Sequence, residues 1–343
     1  MNFQTLLRTA VPVIQAPMAG VQDARLAIAV CSAGGLGSLP CALFSLDQAR
    51  EQIAAIKAAT AQPFNVNFFC HREPTPDAAR EAAWRAALAP YYRELGIDPQ
   101  KIPAGPGRAP FTADSAALVE ATKPPIVSFH FGLPSPDLVA RVRATGAKII
   151  ASATTVDEAL WLERNGVDAV IAQGNEAGGH RGIFLGEDVT TQAGTFALVP
   201  QIVRAVKVPV IAAGGIADAQ GVKAALALGA IAAQIGTSYL LCTEATTTAL
   251  HRAALKTEAA RSTALTNLFT GRPARSIVNR IIRELGPMSS LPPPFPLATS
   301  AMAPLRARAE AQGSSDFSPL WAGQNASGCK DVAAAQLTRD LAG

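Results

Sequence analysis

Short apolar runs alternate with longer stretches rich in alanine and leucine along most of this chain of 343 residues. The runs contain many β-branched residues and few polar ones, a pattern typical of parallel strands that are buried on both faces. The stretches between them have the length and composition of helices. Eight strands are predicted, at 11–18, 35–40, 64–69, 124–132, 147–154, 168–174, 209–215 and 232–238. Eight strands that alternate with helices predict an α/β fold of the (β/α)8, or TIM, barrel type.

Capping signals at the ends of the predicted helices support this alternation. Ser45 and Asp218 precede helical stretches, and both residue types favour the N-cap position. Thr155 is followed by Glu158 in the spacing of a capping box. Other helical stretches end at a glycine, which favours a left-handed C-terminal cap. These glycines are Gly146, Gly166 and Gly229.

Two segments, 71–109 and 246–317, interrupt the alternation. The first holds helix-like and then Pro/Gly-rich sequence, and the second is expected to be mainly helical and then Pro-rich. The barrel is therefore assigned to 1–70 and 110–245, with 318–343 packing back on it. Because the active site of such a barrel lies at the carboxyl ends of its strands, both segments are predicted to cover that mouth, the second as a substrate-binding domain.

Composition and charge exclude several classes of protein. Hydrophobic residues make up 49% and charged residues 16%, so a large core is expected and disorder is not. The net charge of +4 is spread without a basic run, which argues against nucleic acid or an anionic membrane as a partner. The five cysteines form no CxxC pair, and no cluster has metal-ligand spacing. Without a signal peptide or membrane-spanning run, we expect a soluble, cytoplasmic protein that lacks a metal site.

The last two predicted strands carry a candidate phosphate site. One ends in Gly214-Gly215 and leads towards Asp218, and the other ends in Gly236-Thr237. TIM barrels often bind phosphate between these two loops, because glycines let backbone N–H groups approach the phosphate oxygens and a threonine hydroxyl adds a donor. The glycine pair alone would also fit a tight turn, and the phosphate could belong to a sugar phosphate or to a flavin nucleotide.

The loop after the sixth strand, QGNEAGGHRG at 173–182, places a histidine among glycines. Glycines cost backbone entropy, and their use is explained if the loop bends sharply against a ligand and presents His180 to it. His130, near the end of the fourth strand, is either a member of the site or a packing residue. Arg181 is either a substrate contact or a solvated charge. His251 is expected at the surface.

Three further side chains near strand ends suit a flavin. Asn67 and Gln173 carry amides, which offer donors and acceptors together to a pyrimidine edge or to ribityl hydroxyls. Met18 could pack on a flat ring, although methionine also fills gaps in ordinary cores. No GxSxG elbow and no GxGxxG dinucleotide fingerprint follows a predicted strand.

Motifs spread over essentially the whole chain form a specific combination. They are IQAPMAG (14–20), AGGLGSLP (33–40), NVNFF (65–69), SFHFGLP (128–134), QGNEAGGHRG (173–182), AAGGIAD (212–218), QIGTSYLL (234–241) and SPLWAGQNASG (318–328). Together they resemble the nitronate monooxygenase family, formerly called 2-nitropropane dioxygenases, in its bacterial class I type. The resemblance implies a TIM barrel with an added helical domain and one non-covalently bound FMN.

The resemblance also implies site residues and a reaction. His180 would be the catalytic histidine, as a base or as an anion anchor, and His130 and Arg181 are predicted to contact the substrate. The implied reaction is the oxidation of an alkyl nitronate, naturally propionate 3-nitronate, by O2 to a carbonyl compound and nitrite. We expect the protein to be a monomer or a homodimer. The implied FMN contacts are Met18, Ala19, Gly20, Asn67, Gln173, Gly178, Gly215, Gln234, Gly236 and Thr237.

Other functions remain open at the level of sequence. A reductase that uses NAD(P)H and FMN to reduce quinones or enoyl thioesters would share the barrel and a Gly-Gly-His loop. A phosphosugar lyase or isomerase would use the same phosphate site without a flavin. A flavin-binding protein without catalysis would keep the cofactor and make no use of His180.

Overall fold

The computed structural model describes residues 2–102 and 108–343, and these contain eleven strands. The strands are β1 (Val13–Gln15), β2 (Gly37–Pro40), β3 (Phe64–Phe69), β4 (Ile126–His130), β5 (Lys148–Ala153), β6 (Ala169–Gln173), β7 (Gly179–His180), β8 (Val210–Ala213), β9 (Ala232–Ile235), β10 (Thr263–Thr266) and β11 (Ala274–Ile277).

Eight of these strands form one parallel sheet, in the order β1-β9-β8-β6-β5-β4-β3-β2. The sheet closes between β1 and β2, where the Gln15 amide donates to the Leu36 carbonyl at 3.0 Å and the Leu36 amide donates to the Val13 carbonyl at 2.9 Å. The fold is therefore an α/β barrel of the TIM type. All eight predicted strands are confirmed, although most are shorter than the apolar runs that indicated them.

Thirteen α-helices occur in the described residues. They are α1 (Phe3–Leu7), α2 (Ala24–Ser32), α3 (Leu46–Ala59), α4 (Ala78–Glu94), α5 (Ala113–Thr122), α6 (Pro136–Ala144), α7 (Val156–Arg164), α8 (Thr195–Ala205), α9 (Ala219–Ala227), α10 (Ala249–Leu255), α11 (Arg280–Leu285), α12 (Ala298–Ala311) and α13 (Ala334–Ala342). Short 3-10 helices cover Pro99–Lys101, Val189–Thr191, Thr237–Leu241 and Glu258–Arg261. No helix of the described part of the chain is long and apolar enough to span a membrane.

The predicted caps are confirmed with one exception. Ser45 and Gln48 form a complete capping box at the start of α3. At the start of α7, the Thr155 hydroxyl accepts from the Glu158 amide, but the Glu158 carboxylate does not return to the cap. It accepts instead from the hydroxyl and the amide of Thr154, both at 2.7 Å. The predicted C-terminal glycines do adopt positive φ, at 85° for Gly146, 84° for Gly166 and 100° for Gly229.

The barrel has an inner and an outer apolar layer, because strand residues point alternately to its two sides. The inner cluster contains Ile14, Ile126 and Ile150, and Leu6 and Leu7 of α1 pack against it. The larger outer cluster joins the strands to α2, α3, α5 through α9 and α13. Residues of α13 thus pack on the barrel, and the assignment of 318–343 to the barrel domain stays a prediction.

A second apolar core lies outside the barrel and joins the two inserted segments. Trp84 and Tyr92 of α4 pack with Ile281 of α11 and Leu305 of α12. The Tyr92 hydroxyl donates to the Ala301 carbonyl at 2.7 Å. The segments that interrupt the sequence pattern therefore share one core. Their exact limits as domains stay a prediction, and 103–107 of the first segment lie outside the described residues.

A small antiparallel sheet of order β10-β11-β7 connects the second segment to the barrel. Its middle strand pairs with the histidine loop, in the register Ala274 with His180 and Arg275 with Gly179. The expectation of a mainly helical segment missed β10 and β11. Among the described strands, β10 pairs only with β11, and β11 also pairs with β7, a two-residue strand that is distant in the sequence, so no local pattern indicated this part of the sheet.

Candidate active site

One large cavity opens at the carboxyl ends of the barrel strands and contains most of the predicted site residues. The predicted residues that line it are Met18, Ala19, Asn67, His130, Gln173, Gly178, His180, Gly215, Gln234, Gly236 and Thr237. Two predicted residues, Gly20 and Arg181, do not line it. The φ of +87° at Gly20 indicates a role in the turn after Met18 and Ala19.

The glycines after β8 and β9 form one end of the cavity. Gly214 and Gly215 have φ values of +117° and +72°, a conformation that only glycine adopts readily. The backbone amides of Gly215, Gly236 and Thr237 donate to no described residue. Free amides on glycine-rich turns favour an anionic oxygen ligand. This end of the cavity therefore has the donors that a phosphate group needs.

Four amide side chains line the cavity, and the three that were predicted differ in what they can offer. The Nδ2 atom of Asn67 donates to Ser128 Oγ at 2.9 Å. The Oε1 atom of Gln234 is buried and has no partner in the described protein. The amide of Gln173 donates to the His180 carbonyl at 3.0 Å and accepts from the Gly182 amide at 2.7 Å. Gln173 therefore fixes the histidine loop, whereas Gln234 has an unpaired acceptor for a ligand.

The imidazole of His180 lies in an aromatic enclosure. Its ring centroid is 5.3 Å from that of Phe295, 5.4 Å from that of Trp321 and 6.0 Å from that of Phe131. Phe131 adopts a φ of +72°, which is unfavourable for a bulky residue and is held here by packing against its aromatic neighbours. The Nε2 atom of His180 lies 2.9 Å from Thr270 Oγ1.

His130 contacts the backbone of His180, and the hydrogen-bond partners of His130 determine the tautomer of the His130 ring. Its Nε2 atom lies 3.2 Å from the His180 carbonyl, which can only accept, so Nε2 carries the proton. Its Nδ1 atom then accepts from Ser152 Oγ at 3.0 Å. Both ring nitrogens are used within the protein. His130 is therefore placed to position the loop, although its ring also borders the cavity.

Burial keeps both histidines neutral. Desolvation, with Arg108 as the largest charged contributor, holds the pKa of His180 well below its usual range. Desolvation also lowers the pKa of His130 to about 3. A neutral imidazole can accept a proton, whereas an imidazolium that anchors an anion cannot.

The electrostatic field in the cavity is positive. Among the described residues that line it, none is an aspartate or a glutamate. Arg108 lines it with a guanidinium 5.5 Å from the centroid of the Phe295 ring, and burial lowers the pKa of Arg108 to about 10. Arg272 lies over Phe131 at 4.0 Å from the ring centroid. This arrangement favours an anionic ligand near His180.

Comparison with known proteins identifies the family. A family model described as nitronate monooxygenase matches residues 2–343. The chain belongs to the nitronate monooxygenase family.

Individual relatives agree with this assignment over nearly the full length. A nitronate monooxygenase of Paraburkholderia phytofirmans is 46% identical over 339 residues, which cover 96% of this chain and 91% of that protein. A nitronate monooxygenase of Pseudomonas aeruginosa is 42% identical over 348 residues, which cover 99% and 97%. A solved nitroalkane oxidase of Streptomyces ansochromogenes has a TM-score of 0.90 at 38% identity, over 99% of this chain and 96% of that chain.

Membership of the nitronate monooxygenase family makes this chain an oxidoreductase of nitronates, and the predicted family and enzyme class are confirmed. The cavity of glycines, amides and aromatic rings at the mouth of the barrel is the candidate active site. The roles of the individual residues in that cavity stay predictions.

The Arg181 side chain forms hydrogen bonds with the backbone of the histidine loop and does not line the cavity. Its side chain is fully buried and donates to the carbonyls of Gly174 at 2.6 Å and Gln173 at 2.7 Å, and to Gln192 Oε1 at 3.0 Å. The expected contact with the substrate is therefore not supported, and a solvated charge is also excluded. Neighbouring side chains on an extended segment point to opposite sides. Here His180 lines the cavity and Arg181 lies on the other side.

Several lining residues were missed from the sequence. His251, expected at the surface, is buried in the cavity wall, and its Nε2 atom has no partner in the described protein. Arg108 comes from the end of the first insertion, where the Pro/Gly-rich pattern gave no sign of a site. Trp321 and Asn325 come from the closing motif, in which no single residue type indicated a ligand contact. All four reach the cavity from segments outside the strands.

Proposed function

We propose that this enzyme binds one FMN non-covalently and oxidises alkyl nitronates with O2 to a carbonyl compound and nitrite. We propose further that its natural substrate carries a carboxylate, as propionate 3-nitronate does. The proposal rests on the surroundings of His180. The ring is buried and neutral, and it lies in a cavity with a positive field. None of the described residues that line this cavity is acidic.

The donor set of the cavity fits a flavin mononucleotide. The free amides of Gly215, Gly236 and Thr237 suit its phosphate, and the unpaired Gln234 Oε1 suits an N–H or hydroxyl group of the ring or ribityl chain. Met18 lies beside Gly236, with its sulfur 3.6 Å from the place where a Cβ of residue 236 would be. When bound there, FMN would accept electrons from the substrate and pass them to O2.

The neutral state of His180 favours one of its two proposed roles. Because burial holds the pKa of His180 well below its usual range, the ring is uncharged: its free lone pair is available to a proton, and it supplies no fixed positive charge. We therefore assign His180 the removal of the α-proton from a neutral nitroalkane. The anion that forms is then stabilised by the new imidazolium and by the field of Arg108 and Arg272.

Arg108 is the proposed partner of the substrate carboxylate. Its guanidinium is desolvated by burial and lies beside the Phe295 ring, which strengthens a charge-assisted hydrogen bond to a carboxylate. A substrate with a nitronate at one end and a carboxylate at the other presents two anionic groups. His180 and Arg108 would each face one of them.

Nitrite release and O2 uptake with propionate 3-nitronate test the proposal directly. We expect the purified protein to contain one FMN per chain and to release nitrite with this substrate. An anaerobic sample mixed with NAD(P)H should keep its flavin oxidised. Rapid bleaching by NAD(P)H together with no nitrite from any nitronate would show a reductase instead, and a colourless protein would point to a phosphosugar enzyme.

Replacement of His180 by asparagine separates catalysis from passive flavin binding. We expect His180→Asn to retain FMN and to lose turnover of neutral nitroalkanes by about 100-fold or more, the usual contribution of a positioned base. Steady-state rates of nitrite release measure this loss. Unchanged turnover would remove the base role from His180.

A further inference from the structure

Thr270 is not among the predicted site residues, but it contacts the ring of His180. It is 3% exposed and sits in the turn between β10 and β11. Its Oγ1 atom is 2.9 Å from His180 Nε2. The Nδ1 atom of His180 forms no hydrogen bond with residues 2–102 or 108–343. The two ring nitrogens of this cavity-lining residue therefore differ, because Nε2 contacts Thr270 and Nδ1 has no partner in the described protein.

The hydroxyl of Thr270 has one proton and two acceptors within reach. They are His180 Nε2 and, at 3.4 Å, the Arg272 carbonyl. The Arg272 amide, also at 3.4 Å, can only donate to Oγ1. If the hydroxyl proton is directed to the Arg272 carbonyl, Oγ1 accepts from Nε2–H, and Nδ1 keeps its lone pair.

We propose that Thr270 is a positioning residue that holds His180 as the Nε2–H tautomer, so that Nδ1 is the atom that takes the α-proton. In that step the Cα–H bond breaks and its electron pair forms the C=N bond of the nitronate, the π pair of a nitro N=O bond moves onto its oxygen, and the proton moves to Nδ1. The neutral nitroalkane and the neutral imidazole become an anion and a cation. No group is oxidised or reduced in this step. The proposal rests on the base role of His180 in the proposed function.

The Nε2–H tautomer is favoured because it leaves the protonated ring with a hydrogen-bond acceptor at Nε2. After Nδ1 takes the proton, both ring nitrogens are donors, and Nε2–H needs an acceptor that is already in place. Thr270 Oγ1 provides one without rotation of the hydroxyl. The groups that face the ring (Arg108, Arg272, His71 and His130) are cationic or neutral and disfavour the imidazolium. An oxygen acceptor is therefore what the protonated ring requires.

The turn that carries Thr270 is held by contacts that do not involve the side chain of His180. The Asn267 side chain donates to the Ser289 carbonyl at 2.7 Å and accepts from the Ser289 amide at 3.0 Å. The Arg181 amide donates to the Pro273 carbonyl at 2.9 Å, and Ala274 pairs with His180. The hydroxyl is thus presented by a fixed backbone, so its removal alone need not move the ring.

The experiment compares Thr270→Val, which removes the hydroxyl at equal volume, with Thr270→Ser, which keeps it. Thr266→Val is the matched control, because Thr266 is a buried threonine of the same hairpin and accepts from the Leu268 amide. Each flavin-loaded variant is assayed with nitroethane and with preformed ethyl nitronate. We expect Thr270→Val to lower kcat/KM for nitroethane by about 10- to 100-fold and for ethyl nitronate by less than about threefold. Thr270→Ser should restore most of the loss.

A second readout does not depend on activity. Imidazole ¹⁵N chemical shifts distinguish the two tautomers, and the His180→Asn variant assigns the signal. We expect the Nε2–H form in the wild type and in Thr270→Ser, and a mixture of forms in Thr270→Val.

The outcomes separate this proposal from the proposed function. If the wild type oxidises neither substrate, the proposed function fails. If it oxidises both and Thr270→Val lowers both equally or neither, or if the tautomer does not change, the role of Thr270 is wrong. Oxidation of ethyl nitronate alone would also overturn it, because no α-proton would then be removed.

Discussion

Single residues around His180 divide into those that form the cavity and those that hold its wall in place. Arg108 and Gln234 present unpaired polar atoms or charge to the cavity. The side chains of Gln173 and Arg181 form hydrogen bonds with the backbone of the histidine loop. The sequence places Arg181 next to His180, but only its burial reveals that it is a structural residue.

The buried guanidinium of Arg181 makes a strong prediction for stability. Arg181→Met leaves the carbonyls of Gln173 and Gly174 without their charged donor, and should lower the free energy of unfolding by about 3 kcal/mol. Urea unfolding measures this change. Arg204→Met, at an exposed position of α8, is the control and should stay within about 0.5 kcal/mol of the wild type. Equal effects of the two variants would contradict the structural role of Arg181.

Arg108 makes a prediction for specificity. Arg108→Met should raise KM for propionate 3-nitronate by about 10- to 100-fold, the value of one charge-assisted hydrogen bond, and should change KM for ethyl nitronate far less. Arg108→Lys keeps the charge and should recover part of the loss. A parallel rise of KM for both nitronates would show that Arg108 does not recognise the carboxylate.

Elements outside the barrel complete the site. The hairpin of β10 and β11 pairs with the histidine loop, and the closing motif brings Trp321 against His180. Within the barrel, close packing of strands and helices depends on small residues. The Cβ of an alanine at position 37 in β2 would lie 2.2 Å from the Ala27 carbonyl oxygen of α2.

This close approach predicts that Gly37→Ala is destabilising. The strand and helix must separate to admit one methyl group, which should cost about 1–3 kcal/mol. Thermal or urea unfolding measures the loss. Gly186→Ala is the matched control, since no described atom lies within 4 Å of the place that its Cβ would take and the φ of Gly186 is not in the left-handed region. The strand–helix packing would be looser than described if both variants had wild-type stability.

In the described part of the molecule, the barrel and the inserted segments have separate apolar cores, and all four histidines are buried or half-buried with depressed pKa values. Desolvation lowers the pKa of His71 and of His251 to about 4 and that of His130 to about 3, and it places that of His180 well below the usual range. Between the unfolded value near 6.5 and these folded values, the unfolded chain binds protons that the folded chain does not.

Stability should therefore fall as the pH decreases from about 6.5 to about 4, by up to about 1.4 kcal/mol per pH unit for each such histidine. Urea unfolding at a series of pH values measures the slope. His71→Gln keeps a donor for the Arg108 carbonyl, which His71 Nε2 contacts at 2.8 Å, and should make the slope shallower. A flat profile between pH 6.5 and pH 5 would show that these histidines are protonated in the folded state.

The sequence by itself determined the barrel and the glycine-rich ends of its strands. Periodicity, caps and turns are local, because each depends on residues within a few positions of one another. The apolar runs therefore located all eight strands. Gly214, Gly215 and Gly236 marked the end of the cavity where backbone amides are free, and the motif around His180 placed that ring at the mouth.

Only the tertiary structure decided which groups surround His180. Arg108, Trp321 and Thr270 come from three distant segments, and each meets the ring or its cavity through packing that no local pattern encodes. The same holds for the pKa of His180, because desolvation and neighbouring charges act through space. The sequence supplied a histidine at a barrel mouth, and the fold made it a neutral, enclosed ring with one nitrogen hydrogen-bonded to Thr270.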